Sequence, residues 1–479
     1  MTVLRYLLLA GTSLMTSLLA PQAAGQSNTA PSERESNKAI VQKNFDSETS
    51  QHGTNSNILV KPGLLASRTG KWVKIRAEAT GINSNSYPPE FLLISEASGH
   101  DYETVLISFA LPSDIHEALV FIGMKPGRPA DSNKYRFWPK GERVIFTAEW
   151  DNDRHYQARG ESFLCSLKTG EPLPGDGFVF VGSAVRDAPD GASGKKVYAA
   201  DAYDPNCIAS YFNDMETVLD VPRVVGKSAV YGKQYVNPNY SFATGQLVSV
   251  TLEPEYKDGK TRVADFVLSF ASEPGTTAPA LSNTVVRLAG ADGANPIKGN
   301  RIQDALAFFQ QVTKDGRDPF VRVEFDGELP LATVRDICTF LDAINTDKGI
   351  RIEPPPAGHA YYRAFIPDEN LRNPANRAVQ PWEVRLSESN GVLSGRMTLV
   401  EDKMNQETEK WSTVTRQFDA ATPEAMRKVF DTREEDDNTR RIGQPYVFVF
   451  VPKGTLYKVL APFIAACLET RPLVHIYLE

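Results

Sequence analysis

The chain has 479 residues, with 52 Lys and Arg against 59 Asp and Glu, a formal net charge of −7. That length predicts two or three domains at about 150 residues each. A composition of 41% hydrophobic and 23% charged residues excludes a wholly disordered chain. No long apolar run marks a multi-span membrane protein, and the mild acidity argues against nucleic acid as a partner, since a phosphate-backbone binder needs a basic face.

The first segment reads as an address. Met1–Arg5 carries one positive charge, and Tyr6–Ala20 is apolar over 15 residues. A spanning helix needs about 20 residues, so this run is short for a membrane anchor, which stays as the rival reading. Ala23-Ala24-Gly25 supplies small residues for cleavage after Gly25. The layout is that of a secretory signal peptide over residues 1–25, and it places the mature protein in the periplasm or outside the cell. Residues 26–60 are rich in Ser, Asn, Gln, Glu and Thr, and the expectation is a disordered spacer.

The four cysteines, Cys165, Cys207, Cys338 and Cys467, form no CxxC, and the six histidines form no HxxxH or HExxH. Structural zinc and iron–sulfur sites therefore gain no support. Buried free thiols are the favoured reading, with a Cys165–Cys207 bridge left open. No metal or cofactor is expected.

Residues 61–275 show alternating apolar runs at Trp72–Ala77, Glu90–Ser95, Thr104–Phe109, Val144–Trp150, Phe178–Val181 and Gln246–Leu252. Turn signals separate them, at Lys125-Pro126-Gly127, Pro172–Gly177 and Asp190-Gly191. Period-two alternation with Gly and Pro punctuation predicts strands. One helix is expected, capped by Ser113, carrying Ile115, Leu119, Val120 and Ile122, and closed by Gly123. The expectation is a β-rich domain.

Its motifs run in order: Tyr102–Leu106, Pro112–Leu119, Gly123–Gly127, Phe180–Ser183, Tyr198–Asp201 and Thr217–Pro222. This set resembles the YdjY domain family over most of 70–255. The ferredoxin-type cysteine runs of some members are missing here, and the resemblance implies a domain without an established activity. Candidate catalytic residues are His116, Glu103 and Asp201, with Asp114 and Glu117 beside His116. One reading makes His116 a general base or metal ligand held by a carboxylate. The other makes it a structural imidazole, with Asp114 assisting the helix N-terminus. The second is favoured, because a site needs convergent groups and the sequence offers one local cluster.

Beyond residue 283 the chain repeats itself. Asp318–Val323 matches Gln444–Val449 at a spacing of 126 residues. The apolar stripe Leu331, Val334, Ile337, Cys338, Leu341 recurs in phase as Tyr457, Leu460, Phe463, Ile464, Cys467. Each stripe runs into a closing strand, at 349–353 and at Leu473–Leu478. Each half has an earlier helix, Arg301–Val312 or Pro423–Arg433, and a leading strand at Thr284–Leu288 or Glu383–Val400. The predicted fold class is α+β, a β-rich N-terminal domain followed by tandem β-α-β-α-β units, each with its helices on one face of a small sheet. The units span 283–355 and 384–479. A linking segment, 356–383, joins them, followed by a hairpin turning at Asn390-Gly391.

Each unit resembles the periplasmic domain of the ExbD/TolR biopolymer-transport family, through Val321–Asp326, Leu331–Leu341 and Ile350–Glu353 and their second-copy counterparts. Family members that use proton-motive force carry an acidic residue in a transmembrane helix, and Tyr6–Ala20 has none, so the motor role is not carried over. The resemblance implies a periplasmic module that pairs with itself or with partner chains. Asp326-Gly327-Glu328 reads as a turn, because the second copy has Pro452-Lys453-Gly454 there.

The expected function is an exported, non-catalytic binding or interaction protein of the cell envelope. Its expected partners are envelope proteins, or itself through sheet edges. The alternatives are an exported hydrolase with a site near His116, and an accessory subunit contacting an inner-membrane transport complex. No GxSxG, HExxH, P-loop or GxGxxG supports the hydrolase.

Overall fold

The computed structural model describes residues 31–479 apart from 190–194, 241, 276–279, 291–296, 298, 346–349, 357–358, 378–380, 390–391, 406–409, 437–445 and 471–472. The expected leader, the Asp190-Gly191 turn and the Asn390-Gly391 turn lie outside the described residues. Among the described residues, no helix is long and apolar enough to cross a membrane.

The chain is α+β. Its first described element corrects an expectation: Pro31–His52 is a 22-residue helix, α1, where a disordered spacer was expected. Of its described side chains only Asn37 and Val41 are buried. Polar bonds hold it instead. Arg34 Nε meets Glu78 Oε1 at 2.5 Å, and Arg34 Nη2 meets Asp101 at 2.8 Å. Asn37 Nδ2 donates to Glu78 Oε2 at 3.0 Å and to the Gly245 carbonyl at 2.8 Å. Arg76 closes the far end on Glu48 at 2.6 Å. Glu78 is fully buried beneath the helix. Composition misses this, because it weighs apolar burial and these anchors are charged. Glu78→Ala would remove one acceptor each from Arg34 and Asn37, at a cost of about 2 kcal/mol. Limited proteolysis should then cut within 31–52 first; unchanged cutting would refute the latch.

The first domain is a closed eight-stranded barrel, a closure the sequence reading did not contain. Its strands are β1 (Trp72–Ala79), β2 (Phe91–Ser95), β3 (Thr104–Ser108), β4 (Arg143–Asp151), β5 (Phe178–Phe180), β6 (Cys207–Ser210), β7 (Leu219–Asp220) and β8 (Leu247–Pro254). The order around the barrel is β1-β8-β4-β5-β7-β6-β2-β3, and β3 closes on β1 through Ala77↔Ser108, Glu78↔Ile107 and Ala79↔Leu106. The pairs β2–β3 and β6–β7 are parallel and the other six antiparallel. Alternate residues fill the interior: Val73, Ile75 and Ala77 from β1, Val144, Phe146 and Ala148 from β4, and Val248, Val250 and Leu252 from β8. Eight strands leave an interior that side chains can fill. A hairpin, Ile58–Lys61 with Leu64–Ser67, extends the outer edge of the first half of β1.

Helix α2 (Pro112–Phe121) packs Ile115, Ala118 and Leu119 into this core. Its start differs from expectation, because Ser113 lies inside the helix and contributes no side-chain cap. Its end is as expected. Gly123 takes φ +97°, and the amides of Gly123 and Met124 return to the carbonyls of Val120 and Leu119 at 2.9 and 3.0 Å.

Two further sheets follow. The first is β10-β9-β11-β12, from β9 (Val263–Ser272), β10 (Thr284–Gly290), β11 (Asp318–Phe325) and β12 (Arg351–Ile352). Its helices are α3 (Ile302–Lys314) and α4 (Leu331–Asn345). The second is β15-β14-β13-β16-β17, from β13 (Trp382–Ser389), β14 (Val392–Asn405), β15 (Lys410–Ala420), β16 (Tyr446–Val451) and β17 (Leu473–Leu478). Its helices are α5 (Pro423–Asp436) and α6 (Tyr457–Thr470). The first unit opens on an antiparallel hairpin where a single leading strand was expected. The second opens with β13 and β14 antiparallel on either side of 390–391, as the expected hairpin requires, and adds a third strand, β15. The boundary also moves. Val263–Ser272, expected within the first domain, is the centre of the first unit's sheet, antiparallel to β10 and parallel to β11. Its alternation defines a strand, but only its pairing defines its sheet.

The copies bond to each other reciprocally. Leu331 N donates to Thr455 O and Tyr457 N to Leu329 O, both at 2.9 Å. Pro330 and Leu456 form an antiparallel bridge between them. Leu331 and Tyr457, Leu329 and Thr455, and Pro330 and Leu456 are each 126 residues apart. Like meets like, as at a two-fold interface. One apolar cluster runs through both units, joining Phe309, Leu331, Val334 and Cys338 to Val447, Tyr457, Leu460 and Cys467. The linking segment contributes buried Tyr361, Tyr362 and Phe365 to it. The segment then crosses to the other face of the second sheet, where Phe448, Phe450 and Tyr477 form a separate cluster. Arg377 sits over Phe448 at 4.9 Å and Arg385 over Phe450 at 4.1 Å.

The barrel docks onto this pair through its 125–142 loop. Tyr135 stacks on Tyr361 at 4.8 Å, and its hydroxyl accepts from Val474 N at 3.0 Å. Asp318 lies between Arg143 at 2.7 Å and Arg351 at 2.6 Å. Arg128 and Lys140 both reach Glu353.

Candidate functional site

His116 projects from α2 toward the loop after β5. Its Nδ1 lies 3.0 Å from the Tyr198 hydroxyl, which donates to the Gly182 carbonyl at 3.1 Å. With the tyrosine proton on Gly182, this pattern puts the imidazole proton on Nδ1 and leaves Nε2 as the acceptor. Burial lowers the pKa of His116, and Phe180 meets the ring edge-on at 5.2 Å. The neutral imidazole is the favoured form.

Gly182 is required where it stands. Its φ is +79°, and a Cβ there would fall 2.7 Å from Pro126 Cβ and 3.1 Å from His116 Cε1. Ser183 Oγ donates to Glu216 O at 2.7 Å and accepts from Ala200 N at 3.1 Å. Asp201 Oδ1 accepts from Ser113 N at 2.9 Å and so caps α2 from across the fold. Asp114 pairs with Lys61 at 3.4 Å. Four of the sequence motifs, Pro112–Leu119, Gly123–Gly127, Phe180–Ser183 and Tyr198–Asp201, therefore meet at one place, each tying down another. Asp201→Ala should cost about 1 kcal/mol in a urea melt, as loss of a cap does. Asp201→Asn, which keeps the acceptor, should restore most of it; equal losses would refute the capping role.

Glu103 belongs to a different cluster. It hydrogen-bonds His100 Nδ1, while His100 Nε2 meets Asp204 Oδ1 at 2.8 Å. Burial alone would lower the pKa of His100, but the Glu103 and Asp204 carboxylates outweigh it and raise it. Nearby, buried Glu90 is held by Lys227 and by the Tyr231 hydroxyl, both at 2.6 Å. Thus His116 and Asp201 lie in one network and Glu103 in another.

Sequence reading missed a carboxyl pair. Asp220 is fully buried on β7 and accepts from Asn213 Nδ2 at 3.1 Å. Asp214 Oδ1 accepts from Glu216 N at 2.9 Å, and the buried Oδ2 of each carboxyl has no hydrogen-bond partner. Burial pushes the Asp220 pKa well up and that of Asp214 up to about 6. No local pattern flags them, since only folding of 211–226 over β7 removes the water. A raised carboxyl pKa means the folded state holds a proton the unfolded chain has lost. Stability from Asp214 is therefore present below the ordinary value of 3.8 and lost as pH rises to about 6. Asp214→Asn should stabilise the protein by about 2 kcal/mol at pH 7 and hardly at all at pH 3.5, by paired denaturant melts.

All four cysteines are free and buried, so no Cys165–Cys207 bridge forms. Thr217 Oγ1 lies 3.3 Å from Cys207 Sγ, and Cys467 lies 3.4 Å from Met426 Sδ. Among the described residues no group of three or more His, Cys, Asp or Glu is placed to hold a metal ion. At 326–328 the Asp326 side chain accepts from Glu328 N at 2.8 Å, which makes a turn.

Compared with known proteins, the chain matches no protein-family model, no curated protein and no solved structure.

Proposed function

We propose that this chain is an exported cell-envelope protein that works as a binding or interaction module, without catalysis and without motor activity. The observation that carries this reading is how the candidate catalytic side chains are used. His116 bonds Tyr198, Asp201 caps α2 and Glu103 clamps His100, so each performs a local structural task. A hydrolase would need them around one reacting atom. The layout of residues 1–25 supports export. The ordered motifs support a YdjY-like first domain. The 126-residue repeat, with its shared strand order, supports tandem units like the ExbD/TolR periplasmic domain.

The test has two parts. In fractionated cells the mature protein should begin at Gln26 and sit in the envelope. Crosslinking in intact cells should then yield one reproducible envelope partner. Recovery of the uncleaved chain in the cytoplasm overturns the export reading. Recovery of a lone monomer overturns the interaction reading. Esterase turnover that His116→Ala abolishes without changing the melt would establish the hydrolase instead.

A further inference from the structure

A shallow, open apolar depression lies where the two tandem copies meet. Phe325, at the end of β11, and Tyr457, at the start of α6, line it. Ala461, Pro462 and Ala465 form one wall. His359 and Lys458 are its polar lining. Apolar surface with few polar groups at the junction of two folded units is a preferred place for small molecules to bind.

The chain carries its own control for this depression, because the fold is duplicated. At a spacing of 126 residues, Ala461, Pro462 and Ala465 correspond to Arg335, Asp336 and Thr339 of α4. Arg335 and Asp336 stand 4.0 Å apart on that helix, the ordinary charged surface of an exposed turn. The second copy has small apolar residues at these three positions. Conversely, Lys458 replaces Ala332, and Phe325 stands where the second copy has Val451. The copies therefore differ in the side chains that form the depression and place a cation at its edge.

Pro462 sharpens the contrast. It is exposed in the interior of α6, where proline removes a hydrogen bond and crowds the carbonyl four residues back, that of Lys458. Such a residue costs a helix about 3 kcal/mol, and core packing does not call for it on an exposed face. Gly327 lets the β11 tip approach α6, since a Cβ there would fall 2.8 Å from Lys458 Cβ. His359 is fixed by its Nδ1 contact to the Tyr457 hydroxyl at 2.9 Å, with the two rings stacked. Lys458 pairs with Glu328 at 2.5 Å, but both side chains are more than half exposed. An exposed pair of this kind is worth little and exchanges readily.

We infer that this depression binds a small amphiphilic carboxylate, its apolar body against Phe325, Tyr457 and the Ala461–Ala465 wall and its carboxylate on Lys458. The inference goes beyond the partner-binding reading and does not depend on it, because its ligand is a small molecule.

Decanoate is the probe, titrated into the full chain by calorimetry, with decanol as the uncharged comparison. Saturable binding at one site per chain is expected. Ala461→Arg, which installs the first copy's residue on the wall, should weaken decanoate at least tenfold with an unchanged melt. Lys458→Gln should weaken decanoate about tenfold, the scale of one charge-assisted bond, and leave decanol unchanged. Absence of saturable binding overturns the inference. So does wild-type affinity in Ala461→Arg, which would place the ligand elsewhere. Equal loss of decanol and decanoate in Lys458→Gln would overturn the assignment of the carboxylate.

Discussion

Asp318→Ala is expected to destabilise the protein by about 3–5 kcal/mol, the range for removing one member of a buried ion network. Asp318 on β11 sits between Arg143 of the barrel and Arg351 of β12. The guanidinium-bearing side chains are only 5% and 11% exposed, so neither can turn to water when the carboxylate goes. Arg351 also lies over Trp138 at 5.0 Å and Phe320 at 5.3 Å, which fixes it from both domains. Urea unfolding followed separately by tryptophan fluorescence and by circular dichroism is the measurement. A loss under 1 kcal/mol would show that the network contributes no more than an exposed pair. Replacing all three members with apolar residues should be neutral or stabilising, because the desolvation penalty leaves with the charges. The sign with pH follows from the same geometry. Burial alone would raise the pKa of Asp318, but Arg351 and Arg143 outweigh it and hold the carboxyl below its ordinary 3.8. Its contribution is therefore complete above that value and is lost as pH falls through the folded-state pKa.

The second large effect is acid sensitivity from His475. This side chain on β17 lies against Tyr446 and Phe448, at 5.9 and 5.4 Å between ring centroids, and its Nδ1 has no hydrogen-bond partner. Burial lowers its pKa to about 4, only partly opposed by Asp368. In the unfolded chain the group titrates near the ordinary 6.5. Between those values the unfolded state takes up a proton that the folded state refuses. Stability is therefore full above pH 6.5 and falls by about 3 kcal/mol as the pH drops to 4. Asp214 works in the opposite direction over the overlapping range, so the wild-type profile shows the difference of the two. His475→Phe removes the first term alone. Its stability relative to wild type should grow steadily from pH 6.5 to 4. A constant difference across that range would show that His475 is protonated in the fold.

Much of the architecture is legible in the residues. The six apolar runs of the first domain all become barrel strands: β1, β4 and β8 alternate in burial along much of their length, while β2, β3 and β5 are buried throughout and read as short apolar runs. The duplication is legible because both copies bury the same helix face, Leu331 to Leu341 and Tyr457 to Cys467, against the same kind of sheet. The free, buried cysteines also follow from their apolar surroundings. Barrel closure is not legible. It depends on β6 and β7, four and two residues long and buried throughout, with no alternation to mark them. Helix α1 escapes a reading based on hydrophobicity, because its anchors are Arg34, Asn37 and Glu48. The candidate site is legible in part. His116 and Asp201 do share a network, but Glu103 does not, and the cap expected from Ser113 comes from Asp201, 88 residues away.

The sequence by itself determined the longer periodic strands and helices and that one unit occurs twice, since periodicity and repetition are local properties of the chain. Only the tertiary structure decided that the strands close into a barrel and that Val263–Ser272 belongs to the second sheet. The same holds for the reciprocal bonds between the copies and for the burial of Asp318, Asp214 and His475. Each of these depends on which backbone edges pair and which side chains lose water, and both are settled by residues distant in sequence.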